Sequence, residues 1–206
     1  GTGFGVIGPN WAGKTATIRM LPALRQPASG RARVLGHDVG TEADAVRRSV
    51  SLTGQFASVD EELTGRENLL LLGRILGLTK SATSDRADEL LDAFGLAEAG
   101  DRLASEYSGG MRRRLDIASS IVVTPQLLFL DEPTTGLDPT SRAAVWAEER
   151  YLNQELGMTI FITTQYLEEA EALANRLGII AHGKLVAEGT PTELKRSIGS
   201  DLIVAR

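Results

Sequence analysis

The sequence predicts an α/β fold: a mostly parallel sheet flanked by helices, with a helical block inserted between two strands. Three observations predict it. Apolar, β-type runs alternate with helical patterns, the order that places helices on the faces of a parallel sheet. One run, Phe4–Ile7, leads into a glycine-rich turn and then a helix starting near Lys14. From about residue 56 to 124 the β-type runs stop and the pattern turns helical.

The remaining elements come in chain order. "RARVLG" at 31–36 and Val50–Thr53 read as strands. Thr64 and Glu67 have capping-box spacing and open a Leu-rich helix. A second helix, near 84–94, stops at Gly95, and a third starts after Ser108. Leu127–Leu130, Thr159–Thr163 and Gly178–Ala181 are further strands, the last entering a hairpin that turns at His182-Gly183. Asp138-Pro139 is an N-cap with proline at the first helical position. Pro22 ends or kinks the first helix early. The chain starts at Gly1 inside a strand, so the expectation is a segment lacking its N-terminal strands.

The 206 residues suffice for one domain, and 42% apolar with 24% charged residues are ordinary globular values. A net charge of −5 supplies no general attraction to nucleic acid or anionic lipid, so phosphate binding must be local. The absence of cysteine excludes disulfides and thiolate metal sites. No apolar run reaches bilayer length; "LLLLGRILGL" at 69–78 is broken by Gly73 and Arg74. The amino end has neither the basic segment nor the long apolar core of a signal peptide.

Two stretches carry chemistry. Gly8-Pro9-Asn10-Trp11-Ala12-Gly13-Lys14-Thr15 has the Gly-x4-Gly-Lys-Thr frame of a phosphate-binding loop, between a strand and a helix as that frame requires. Its backbone N–H groups and the helix N-terminus would receive β- and γ-phosphates, Lys14 would reach them, and the Thr15 hydroxyl would bind Mg²⁺. Ala16 forfeits a hydroxyl contact but keeps its N–H. Trp11 is the anomaly: if its position needs φ > 0, a side chain there costs about 1–2 kcal/mol, strains the loop and crowds the ligand. In "LLFLDEPTTGLDP" a buried strand ends in two carboxylates at the carboxyl edge of the sheet, where α/β ligands bind. Asp131 would hold Mg²⁺ and Glu132 would deprotonate an attacking water.

"YSGGMRRRLDIASSIV" at 107–122, ahead of "LLFLDEPTTGLD", resembles the signature motif of ATP-binding cassette (ABC) proteins. Gln55 in "SLTGQFASVDEELTGRENL" looks like the glutamine of the Q-loop, and "ITTQYLEEAEALANRLGIIAHGKLVAEGTPTEL" looks like the switch region. The resemblance covers practically the whole chain and is closest to ATPase subunits of drug-resistance exporters. It implies a P-loop NTPase core at 1–55 and 125–206, with a helical signature subdomain at 56–124. It implies ATP and Mg²⁺ as ligands, with Gln55 beside the metal. A head-to-tail homodimer would sandwich ATP, with Ser108, Gly109 and Gly110 on the partner's γ-phosphate and Asp138 among the nucleotide-site residues. A separate polytopic permease would hold the chain at the cytoplasmic face of the membrane, and no nucleic acid is implied. Arg112–Arg114 are expected on a solvated helix face, and His37 and His182 on the surface. Glycine is usual at position 11 and histidine at 165; Gln165 can donate to a γ-phosphate but cannot titrate near neutral pH. Two alternatives stay open: a nucleotide-binding module weakened by Trp11, and a soluble ABC ATPase outside transport.

Overall fold

The structure, a computed structural model, describes residues 1–54 and 59–198. The strands are β1 (Gly3–Ile7), β2 (Arg33–Val34), β3 (His37–Asp38), β4 (Val50–Thr53), β5 (Leu127–Asp131), β6 (Thr159–Thr164), β7 (Arg176–Ala181) and β8 (Lys184–Gly189). The helices are α1 (Lys14–Met20), α2 (Ala43–Ser49), α3 (Gly65–Ile75), α4 (Lys80–Ala93), α5 (Gly109–Ser120), α6 (Pro139–Gln154), α7 (Leu167–Leu173) and α8 (Pro191–Ile198). The main sheet runs β4-β5-β6-β1-β7-β8, with β8 antiparallel to β7 and the other neighbours parallel. The α/β class with a mostly parallel sheet is therefore as the sequence implies.

Register decides which strand ends meet. Ile7 pairs with Thr164, and Asp131 with Thr163, so the carboxyl ends of β1, β5 and β6 lie side by side on one edge. β5 is buried on both faces, as a central parallel strand should be. Leu128 and Leu130 enter a hydrophobic cluster that also holds Leu69, Leu91, Leu115 and Ile160. Phe129 faces the opposite cluster with Ile18 and Val46. Helices α3–α5 thus share a continuous core with the sheet.

Local chemistry accounts for the helix ends. Thr64 and Glu67 form the full reciprocal capping box of α3. Ser108 caps α5 by accepting from Met111 N at 3.2 Å, and Asp138 caps α6 by accepting from Thr140 N and Ser141 N, each at 3.0 Å. Helix α1 ends at Met20, two residues before the buried Pro22. The hairpin turns at His182 (φ 50°) and Gly183 (φ 73°), with His182 exposed. His37 is half-buried, its Nδ1 3.0 Å from Glu42 Oε1. Among the described residues no helix is long and apolar enough to cross a membrane.

Three expectations need correction. Helix α4 begins four residues earlier than the pattern indicated, because the Thr79 hydroxyl caps it by accepting from Ala82 N. The 31–36 stretch is not one strand. Leu35 and Gly36 both take positive φ and fold it into the two-residue ladder of β2 and β3. Arg112–Arg114 do not lie on a solvated face. Arg112 donates to Tyr107 O and pairs with Glu61, Arg114 donates to Phe94 O, and Arg113 is buried. The reason is that Arg113 lies where α5 packs toward β4 and α6, while Arg112 and Arg114 reach carbonyls next to α5 and at the end of α4.

Candidate functional site

The turn between β1 and α1 is shaped by what surrounds it. A Cβ at Gly8 would sit 2.3 Å from Ile180 O, so only glycine fits beside β7. Gly13 takes φ 104° and leads into α1, whose N-terminus has no side-chain cap. Gly183 N donates to Ala12 O at 3.1 Å, so the β7–β8 hairpin braces the loop from behind. Ala12 is buried, while Pro9, Asn10 and Trp11 are exposed. Trp11 has φ 72°, so the backbone there does need the left-handed region and the condition for strain is met. Its indole is wholly exposed, however, and stands at the rim of the loop instead of filling it.

Lys14 is buried and its ammonium reaches three acceptors: Gly8 O at 2.7 Å, Pro9 O at 3.1 Å and Glu132 Oε1 at 3.1 Å. An ammonium has three hydrogens, so each has a partner. Glu132 sits at φ 48°, in the left-handed region, with its N–H donating to Thr163 O at 2.9 Å. Its carboxylate also accepts from the Thr135 hydroxyl at 3.2 Å. Backbone strain of this kind is held only where surrounding structure imposes it, and it concentrates at functional sites. Here the imposing bond is the one from β6.

Asp131, the last residue of β5, is buried and accepts from the Thr163 hydroxyl at 2.6 Å. Burial pushes its pKa up; the Thr163 hydrogen bond opposes this, and the Glu132 charge adds to it. Gln165 directly follows β6, and the Thr164 hydroxyl holds the turn there by accepting from Tyr166 N at 2.9 Å. Behind it Glu169 is fully buried, its Oε1 accepting from Thr134 Oγ1 at 2.5 Å and Trp146 Nε1 at 3.1 Å. That carboxylate ties the segment after Gln165 to the turn after Glu132.

A cavity of about 710 Å³ opens at this edge. Asn10, Trp11, Gly13, Lys14, Thr15, Ala16, Glu132 and Gln165 line it, together with Thr135, Arg19 and Arg25. The first eight were singled out from sequence. The last three were not: Arg19 and Arg25 lie in no motif, and only the path of α1 brings them to the cavity. Among the described residues no three His, Asp or Glu side chains gather as a metal cage. The cavity lining offers the Thr15 hydroxyl and the Glu132 carboxylate, and Asp131 lies buried beside Glu132 at the end of β5 without lining it. These few hard oxygens suit Mg²⁺ bound mainly through water and phosphate. Gln55 lies outside the described residues.

Ser108, Gly109, Gly110 and Asp138 do not line that cavity. They form a second cluster, joined through Ser141. A Cβ at Gly110 would lie 2.6 Å from Ser141 Oγ, and that hydroxyl donates to Asp138 Oδ2 at 2.5 Å. The same bond, before the backbone ones, holds the Asp138 pKa below the ordinary range.

The profile of the ABC transporter family matches residues 1–135. The chain belongs to the ABC transporter family. It is 59% identical over 203 residues to the daunorubicin/doxorubicin resistance ATP-binding protein DrrA of Streptomyces peucetius, covering 98% of this chain and 61% of that protein. It is 52% identical to the doxorubicin resistance ATP-binding protein DrrA of Mycobacterium tuberculosis (strain ATCC 25618 / H37Rv), over 95% of this chain and 59% of that one. It is 42% identical to the Nod factor export ATP-binding protein I of Rhizobium sp. (strain N33), over 97% and 66%. The ABC chain thus spans about six-tenths of the length of the first two relatives. Among solved structures, an ATP-binding subunit of an ABC transporter superposes with a TM-score of 0.79 at 27% identity, covering 96% of this chain and 82% of that one.

Proposed function

We propose that this chain is the ATP-binding and ATP-hydrolysing part of a two-component ABC exporter that removes drugs or antibiotics. One observation carries the reading: Lys14 and Glu132 converge at 3.1 Å on one cavity at the carboxyl edge of the sheet. The drug-resistance and Nod factor export relatives support it.

In this reading the Gly8–Ala16 loop and the uncapped N-terminus of α1 receive the β- and γ-phosphates. Lys14 turns from Glu132 to the phosphate oxygens. Mg²⁺, when bound, neutralises charge on the phosphates; Thr15, Asp131 and Gln55 would hold it. Glu132 orients the attacking water and takes its proton as the oxygen bonds to the γ-phosphorus and the bond to the β–γ bridging oxygen breaks, leaving ADP and phosphate. Gln165 donates its amide N–H to the γ-phosphate.

Ser108, Gly109 and Gly110 serve the ATP held by a second copy in a head-to-tail dimer, and Asp138 supports that face. Residues 1–55 and 125–206 act as the ATPase core and 56–124 as the helical signature subdomain. A separate membrane permease anchors the pair at the cytoplasmic face of the membrane. Trp11 lowers activity only modestly, because its strained backbone is already present without nucleotide and its indole stands in solvent.

The test is MgATP turnover by the full-length protein and its Glu132→Gln variant, followed by drug efflux from cells co-expressing the permease. Binding without turnover in the parent favours the nucleotide-binding module that Trp11's conformation also fits. Turnover without any effect on efflux rejects the exporter assignment.

A further inference from the structure

Hydrolysis by Lys14, Glu132 and Gln165 leaves a buried cation unused. Arg113 is only 8% exposed and sits on the inner face of α5. Its Nη1 donates to Gly54 O at 2.7 Å and lies 3.0 Å from Asp116 Oδ2. It also borders a small cavity of about 170 Å³ shared with Gly109, Glu132 and Thr135. Burial lowers its pKa, while the charge of Asp116, and after it Glu149, Glu169 and Asp131, favours the cation.

Stability does not account for such a group, since a buried ion pair seldom outperforms apolar side chains of equal volume. Geometry does. Asp116 lies on the same helix, three residues on, and steadies the guanidinium. The bond to Gly54 leaves the helix and reaches the end of β4. Gly54 directly precedes Gln55 in the chain. Arg113 stands five residues after the Ser108 cap, about 7.5 Å along the helix axis, so displacement at one is felt at the other.

We propose that Arg113 is a positioning residue that locks α5 to the end of β4, so that Ser108–Gly110 and the chain at Gly54 move as one body. The proposal rests on the ABC ATPase reading, in which Gln55 serves the nucleotide of its own chain and Ser108 that of the partner. Arg113 then connects the occupancy of one nucleotide site to the geometry of the other.

The test uses the full-length protein and three variants: Arg113→Lys, Arg113→Met, and Arg113→Met with Asp116→Asn, which removes both charges at nearly constant volume. In the double variant kcat for MgATP falls at least tenfold, KM changes less than threefold, and the melting transition stays cooperative. Arg113→Lys, which keeps a charged donor, retains at least half of the parent's kcat. Amide hydrogen exchange supplies a readout independent of turnover. MgATP alters protection of α5 and of residues 50–54 together in the parent, and of residues 50–54 alone in the double variant. A double variant with kcat within twofold of the parent, or with α5 and β4 still responding together, overturns the proposal. If the parent neither binds nor hydrolyses ATP, the ATPase reading falls instead. The link itself is then judged without nucleotide, where loss of Arg113 must raise exchange at residues 50–54; unchanged exchange overturns it.

Discussion

Lys14 Nζ lies 3.1 Å from Glu132 Oε1 with both side chains buried, while the same ammonium donates to Gly8 O and Pro9 O. The lysine is held by its own loop and by Glu132. In the proposed reading, arriving phosphate would take Lys14 from Glu132, and that exchange would release the carboxylate toward water. Loading and activation would then be one event.

Glu132→Gln should therefore lower kcat by about 10²–10⁴-fold, the usual worth of a positioned base. ATP affinity should stay level or tighten, because the amide competes less strongly than a carboxylate for Lys14. Turnover assays and equilibrium titration with MgATP check both. A variant that turns over normally would falsify the assignment of Glu132 as the base.

Trp11→Gly should act on stability more than on affinity. The left-handed backbone at φ 72° burdens the folded state whether or not nucleotide is present. Glycine relieves about 1–2 kcal/mol of that strain, partly offset by its freer unfolded chain. We expect Tm to rise by about 1–4 °C and the dissociation constant for ATP to stay nearly level. Tightening beyond tenfold would mean that the exposed indole obstructs the cavity.

Thr134→Val removes the hydroxyl that meets buried Glu169 at 2.5 Å. Leaving a buried carboxylate oxygen short of a donor costs about 1–3 kcal/mol. Because Glu169 ties the Gln165 segment to the Glu132 turn, kcat should fall by about tenfold with KM little changed, and Thr134→Ser should restore it. Equal turnover in Thr134→Val and Thr134→Ser would remove the hydrogen bond from the explanation.

Gln165, at the position where the family resemblance implies a histidine, lines the cavity. An amide does not ionise, so the pH–rate profile should show no step near pH 6.5 from this residue. A step in the parent that disappears in Gln165→Ala contradicts this.

Glu149 is fully buried on α6 with neither carboxylate oxygen hydrogen-bonded, and burial, then the charge of Glu169, raises its pKa well above the ordinary range. Neighbouring Glu148 is pushed up to about 8, again chiefly by burial. Both bind a proton more tightly folded than unfolded. Their contribution is thus fully present below about pH 4.5 and is lost as pH rises through the folded values. Stability should decline between pH 5.5 and 8.5, and Glu149→Leu should raise Tm more at pH 8.5 than at 5.5. Thermal melts across that range decide it; an equal shift at both ends rejects the buried-acid account.

Motifs whose chemistry is local were legible in one dimension. The capping box at Thr64 and Glu67, the Asp138-Pro139 helix start and the phosphate loop each involve residues a few positions apart, whose hydrogen bonds close within a turn. The alternation of apolar runs likewise implied parallel strands, since a strand buried on both faces has no polar side to show. Arg113 was not legible. Whether an arginine on a helix faces water or Gly54, 59 residues away, depends on which side of α5 meets the sheet. Nor were Arg19 and Arg25, which the path of α1 brings to the cavity, or the brace from Gly183 to Ala12, which the pairing of β1 with β7 sets in place. Local patterns in the chain specified the helix ends, the frame of the loop and which two carboxylates follow β5. Strand order and register decided which of them meet, because only packing brings the ends of β1, β5 and β6 to one edge and sets Lys14 against Glu132.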